Sequence, residues 1–222
     1  MENILDNSKL DNVSFYPEHN LCFFAVTKCL GTSVKAALCK ESVRDSHALR
    51  YDYIYDHVNS IYITKDYAKT LSATRCLNFS VIRHPFSRIK SLYKHFVLRD
   101  PSRIKELHKD LEPCDFDYFV AFLLDNTDLN TCNHHMKSIS SFLLDENDVI
   151  IPNIVFRFDQ EFKLLSNFLQ GYGCFLEKAN ISAISDWDLK KHTKLAVRDK
   201  YSQDFETFNF GDLNGSSLAT RT

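Results

Sequence analysis

The 222-residue chain is poor in the residues that punctuate structure: its five glycines and five prolines are scattered singly, and it has no internal repeat, low-complexity tract or Gly/Pro-rich linker. Nothing therefore marks a second domain, and a single domain over residues 1–222 is expected. Charge of either sign is not in excess, with 27 Lys+Arg against 29 Asp+Glu and a net charge of −2. No general field draws nucleic acid or an anionic membrane, no nucleic-acid partner is expected, and any anion site must be built locally. No stretch approaches the roughly 18 apolar residues of a membrane span, and Met1-Glu2-Asn3-Ile4-Leu5-Asp6 lacks the basic and apolar regions of a signal peptide, so a cytoplasmic protein is expected. The seven cysteines form an odd set without a CxxC pair. That fits neither a disulfide framework nor a zinc knuckle, and reduced, mostly buried thiols are expected.

What is present is a pattern of short apolar runs alternating with helix-compatible stretches. Leu21 to Val26 reads as a strand, Thr27 to Gly31 as a loop, and Thr32 to Lys40 as a helix. The unit recurs at Leu77 to Ile82, a buried strand, after which Pro85 suits a first helical position. That second helix is expected to run to about Leu98, with Phe86, Ile89, Leu92, Tyr93 and Phe96 forming a face for the sheet. Further helices are expected near Phe116 to Leu124, Gln160 to Leu169 and Leu189 to Tyr201. Of the two β-rich runs on either side of Pro152-Asn153, the later one, Ile154 to Phe158, is the better strand. Arg44 to Asp66 supports neither period and reads as mixed structure. The alternation predicts an α/β fold with a parallel sheet covered on both faces.

A loop between a buried strand and a helix start presents N–H groups without intrahelical partners, in the positive end of the helix dipole. In Lys28-Cys29-Leu30-Gly31-Thr32-Ser33, Gly31 permits close approach, Thr32 and Ser33 supply hydroxyls, and Lys28 supplies a mobile cation. The same residues also read as a helix capped by Thr32 or Ser33 beside a solvated lysine. A nucleoside triphosphate loop needs GxxxxGK[ST], whereas here lysine precedes the glycine, which disfavours an ATPase.

A second candidate begins at Arg83, at a strand end, with Ser91 eight residues later in the following helix. The arginine fork suits two phosphate oxygens and the serine adds a neutral donor. The competing reading is an amphipathic helix with a solvated basic face.

Jointly the two segments resemble the carbohydrate sulfotransferases, Golgi-type and bacterial, that use 3′-phosphoadenosine 5′-phosphosulfate. That family's 5′-phosphosulfate loop resembles PKxxxTS and its 3′-phosphate segment RDPFxRxxSxY. Here Thr27 stands in place of the proline and His84 in place of the aspartate. Asn133-His134-His135 followed by Phe142-Leu143 is similar to the family's central histidine element, Arg157-Phe158-Asp159 to its GRFE segment, and Tyr201 to Phe208 to its Y-x-x-D-F-x-x-F ending. The resemblance implies a P-loop-like three-layer α/β fold with a central, mainly parallel sheet flanked by helices. It also implies Lys28, Cys29, Gly31, Thr32 and Ser33 at the 5′-phosphosulfate, Arg83 and Ser91 at the 3′-phosphate, and a glycan or other hydroxyl-bearing acceptor.

Sulfuryl transfer needs acceptor and leaving oxygens in line and charge stabilised on the leaving phosphate, a role that falls to Lys28. A histidine, with a reference pKa of about 6.5, can take the acceptor proton. His135 is the first choice and His134 the second; both also read as ordinary loop residues, and Glu41, Asp52, Asp56 or His57 are alternative bases. A zinc site of Cys132, His134 and His135 is disfavoured by their closeness in sequence, and no metal is expected. Arg157 could meet an anion or an ion-pair partner, and Tyr201, Phe205 and Phe208 read as packing. The alternatives are a nucleotide-dependent phosphotransferase, which needs a magnesium-binding acid where this chain has Arg83-His84, and a non-catalytic module binding nucleotide or glycan.

Overall fold

The computed structural model describes residues 12–39, 61–129, 132–176 and 189–211. Its backbone gathers into two compact units, one within Met1–Arg83 and Phe142–Ser185, the other within His84–Ser141 and Asp186–Thr222.

The first unit holds a five-stranded mixed sheet in the order β3-β1-β2-β4-β5. Strand β2 (Leu21–Ala25) is buried at every residue, as a strand with neighbours on both sides and covered faces requires. It runs parallel to β4 (Leu77–Ile82), which runs parallel to β5 (Ile154–Arg157). The β2/β4 register sets Phe23 beside Phe79, whose rings stack at 5.0 Å. The polar members of β4 are satisfied inside the sheet: the Ser80 hydroxyl donates to the Phe24 carbonyl at 2.7 Å, and the Asn78 amide donates to the Ala68 carbonyl at 3.1 Å. On the other side, β1 (Val13–Tyr16) returns through a short turn to pair antiparallel with β2, and β3 (Ile61–Ile63) joins β1 antiparallel. Thus the strands that carry the predicted loops are the parallel ones.

Helices α1 (Gly31–Leu38), α2 (Lys65–Ala73) and α6 (Phe158–Gln170) belong to this unit. Val34, Ala37 and Leu38 of α1 and Leu165 and Leu169 of α6 share one core with Phe23, Phe79 and Val81. Fully burying each large apolar side chain contributes about 1.5–3 kcal/mol. Of the segment read as mixed structure, residues 61–63 are strand and helix α2 begins at Lys65, while its earlier part lies outside the described residues.

The second unit is helical: α3 (Pro85–Tyr93), α4 (Phe116–Asn126), α7 (Lys191–Lys200) and α8 (Ser202–Thr207). The short α5 (Ile139–Leu143) lies where the chain passes from one unit to the other. Phe86, Ile89, Leu92, Tyr93 and Phe96 are all buried, as the periodicity requires. Their helix packs on α4 and α7, with Tyr93 edge-on to Phe116 and Phe119. After Tyr93 the helix widens to i→i+5 bonding over Lys94–Arg99. No helix among the described residues is long and apolar enough to cross a membrane.

Candidate active site

The loop after β2 has an unusual backbone. Lys28 and Leu30, neither of them glycine, adopt left-handed conformations with φ of 64° and 63°, and each such residue costs about 1–2 kcal/mol. Alternating hands of this kind turn successive N–H groups toward one side, an arrangement that receives anions. Helix α1 then starts at Gly31 with Leu30 at the N-cap position and no side-chain capping bond; Thr32 and Ser33 lie within its first turn. The capping alternative for those two residues is therefore overturned, because the cap position falls earlier, on a residue with no hydrogen-bonding side chain. No acidic residue occupies that first turn, so the dipole there keeps its positive character. Cys29 is fully buried, and its N–H closes the turn by donating to the Val26 carbonyl at 3.3 Å. Gly31 is not needed for local conformation: an added Cβ would meet only the Ala25 Cβ, at 3.9 Å. What glycine does here is leave the approach to the helix start open.

Arg83 leaves the end of β4 half-buried. Its guanidinium lies over the Phe158 ring at 5.3 Å, and its Nε sits 3.4 Å from Asp159 Oδ1. Nε is buried without a hydrogen-bond partner among the described residues. Phe158 and Asp159 arrive there because β5 pairs in parallel with β4, setting Arg157 opposite Ile82. Three segments recognised separately in the sequence, 27–33, 83 and 157–159, thus start at the carboxyl ends of three adjacent parallel strands, where open α/β sheets bind ligands. The start of α6 differs from that of α1, since Asp159 and Glu161 occupy its first turn and Glu161 accepts the Arg157 N–H at 2.7 Å.

In the second unit, His84 caps α3. Its Nδ1 accepts the Phe86 N–H at 3.2 Å, so its Nε2 carries the proton donated to the Gly211 carbonyl at 2.9 Å. The ring packs against Phe86, Phe205 and Phe210. Histidine thus fills the capping role here through a ring nitrogen, as an aspartate carboxylate can at such a position. Ser91 is half-buried on α3, and its hydroxyl makes no hydrogen bond to a described residue.

The Asn-x-His spacing has a local cause. Asn133 Oδ1 accepts the His135 N–H at 2.9 Å, while the Asn133 amide donates to the Glu106 carbonyl at 2.7 Å. His135 is half-buried, its carbonyl accepts from Arg88 Nη2 at 3.3 Å, and its ring meets Phe96 edge-on at 5.1 Å. His134 is exposed; desolvation first, then the nearby Lys137 charge, lower its pKa below the ordinary histidine value.

Two residues outside the predicted site hold the end of this segment. The Tyr201 hydroxyl donates to the Met136 carbonyl at 2.9 Å, so this tyrosine does more than the packing expected of it. Asp204, fully buried, accepts the Ile139 N–H on one oxygen and the Ser140 N–H and hydroxyl on the other, at 2.7–2.8 Å. Sequence reasoning gave Asp204 no role; an aspartate amid Tyr201, Phe205 and Phe208 was the available signal. Burial raises its pKa, opposed by those hydrogen bonds and the Arg88 charge. The folded form therefore holds this proton more firmly than the unfolded chain, and stability falls as pH rises from about 4 through the raised folded value. The bonds themselves still require a carboxylate: Asp204→Asn turns one acceptor into a donor facing an N–H. It is expected to lower stability at pH 7 by about 1–3 kcal/mol in urea unfolding.

Among the described residues no three His, Cys, Asp or Glu side chains converge as metal ligands. Glu41, Asp52, Asp56 and His57 lie outside the described residues.

A family model described as the sulfotransferase family matches residues 11–211, from the start of β1 past the end of α8. The chain belongs to the sulfotransferase family, and its mixed five-stranded α/β sheet flanked by helices is consistent with that membership. Neither the curated proteins nor the solved structures contain a significant match.

Proposed function

We propose that this protein transfers the sulfuryl group of 3′-phosphoadenosine 5′-phosphosulfate to a hydroxyl of a carbohydrate or glycan acceptor. The observation that carries the reading is the Lys28–Leu30 turn leading into an α1 start with neither a side-chain cap nor an acid. Such a turn suits an anion. The donor has phosphates on both sides of its ribose, and Arg83 supplies a second cationic fork whose Nε makes no hydrogen bond among the described residues and only a 3.4 Å ion pair to Asp159. In this reading the loop N–H groups, Thr32 and Ser33 bind the 5′-phosphosulfate, and Arg83 with Ser91 binds the 3′-phosphate.

The acceptor oxygen forms its bond to sulfur as the bond from sulfur to the phosphate oxygen breaks. The acceptor proton passes to His135, and Lys28 meets the charge left on the phosphate. His135 is preferred to His134 because the backbone groups on both sides of its Cα are held.

The test incubates purified protein with ³⁵S-labelled donor and a panel of glycans, with a parallel arm of ATP and Mg²⁺. Transfer of label to a glycan is expected, and His135→Gln should lower it about 10²–10⁴-fold. Undiminished transfer by that variant would remove His135 as the base. Donor binding without transfer to any acceptor would indicate a binding module, and Mg²⁺-dependent phosphoryl transfer would replace the sulfuryl assignment.

A further inference from the structure

None of these roles uses Arg88, yet it is only 3% exposed in the middle of α3. A buried guanidinium is costly to desolvate and persists where its donors are engaged. One of them, Nη2, donates to the His135 carbonyl at 3.3 Å. On the other side of the same residue, Asn133 Oδ1 holds the His135 N–H. Both peptide groups of His135 are thus tied, and the edge contact with Phe96 restricts the ring itself. Tyr201 and Asp204 fix the backbone further along, at Met136, Ile139 and Ser140, and the Asp204 charge is felt by Arg88. Arg88 is also one helical turn before Ser91, so the helix that presents Ser91 is the helix that holds the His135 carbonyl.

We infer that Arg88 is a positioning residue, which sets the orientation of the His135 imidazole and ties it to the helix carrying Ser91. The inference rests on the sulfuryl-transfer reading for its catalytic consequence, but its structural content does not. A base held in one geometry abstracts a proton efficiently, and a displacement near 1 Å can cost about 10²-fold in rate.

The experiment compares Arg88→Met, which keeps length and removes the donors, with Arg88→Lys, which restores one donor and the charge. Calorimetry measures adenosine 3′,5′-bisphosphate binding, steady-state kinetics separates kcat from the acceptor KM, and ¹⁵N-imidazole NMR follows His135. Arg88→Met is expected to keep the dissociation constant and acceptor KM within about threefold, lose about 10²-fold in kcat, and shift or broaden the His135 resonances. Arg88→Lys should recover part of both losses. Unchanged His135 resonances in Arg88→Met, or a Lys variant no better than Met, would overturn the proposal. Should Arg88→Met fail to fold, Arg88→Gln, whose donor sits two bonds short of the Nη2 position, decides: altered His135 resonances support positioning and wild-type resonances refute it. Absence of transfer by the wild type would instead defeat the sulfuryl-transfer reading, while the NMR comparison still decides the role of Arg88.

Discussion

Lys28→Ala is expected to lower kcat for sulfuryl transfer by about 10²–10³-fold, the usual consequence of removing one preorganised group from a developing anion. Its side chain is the cation carried by the turn itself, half-buried on a backbone with φ of 64° next to the fully buried Cys29. Folding should survive, since alanine meets the same left-handed penalty as lysine. Lys28→Gly sharpens the test. Glycine adopts this φ without that penalty, so the variant should be more stable by up to about 1 kcal/mol while remaining as inactive as Lys28→Ala. Stability gained with activity lost would mark the strain at position 28 as held for function. Wild-type kcat in either variant would sink the assignment of Lys28 to the leaving oxygen.

Arg83→Ala is expected to weaken binding of adenosine 3′,5′-bisphosphate about 10–100-fold and to leave AMP binding almost unchanged. A charge-assisted bond from a guanidinium contributes about 1.5–3 kcal/mol, and AMP lacks the 3′-phosphate that Arg83 is assigned to hold. In wild type the bisphosphate should therefore raise the melting temperature more than AMP at equal concentration, and in Arg83→Ala the two shifts should converge. The structural loss is modest: a stacking contact on Phe158 and one long ion pair to Asp159. Arg83→Lys keeps the charge without the planar fork and should fall between the two. Equal shifts for both nucleotides in wild type would leave Arg83 as a partner of Asp159 alone.

The parts of this protein legible from sequence are those made by neighbours in the chain. Strands β2, β4 and β5 were located by short apolar runs, and α3 by a 3.6-residue period, because burial on covered faces writes itself into composition. Strands β1 and β3 were missed: Ser14 interrupts the apolar run of β1, and the three residues of β3 leave too short a pattern to separate from a loop. The last predicted helix, Leu189 to Tyr201, is α7 over Lys191–Lys200, and the chain turns at Tyr201 before α8. No proline or glycine announces that turn; the bond from the Tyr201 hydroxyl to Met136 accompanies it.

The candidate site divides in the same way. Sequence by itself placed Lys28, Thr32 and Ser33 on one strand–loop–helix segment and Arg83 at a strand end, since each depends on residues within a few positions; the Asn133-x-His135 element was read from the family resemblance. Tertiary structure decided that Leu30 and not a hydroxyl residue takes the N-cap position of α1, that Phe158 and Asp159 flank Arg83, and that Arg88, Tyr201 and Asp204 grip the histidine segment. Strand pairing brings residues 83 and 159 together, and a carboxylate at 204 satisfies N–H groups at 139 and 140. Such contacts join chain segments tens of residues apart. They are selected by the need to satisfy buried polar groups, a requirement that leaves no local period to read.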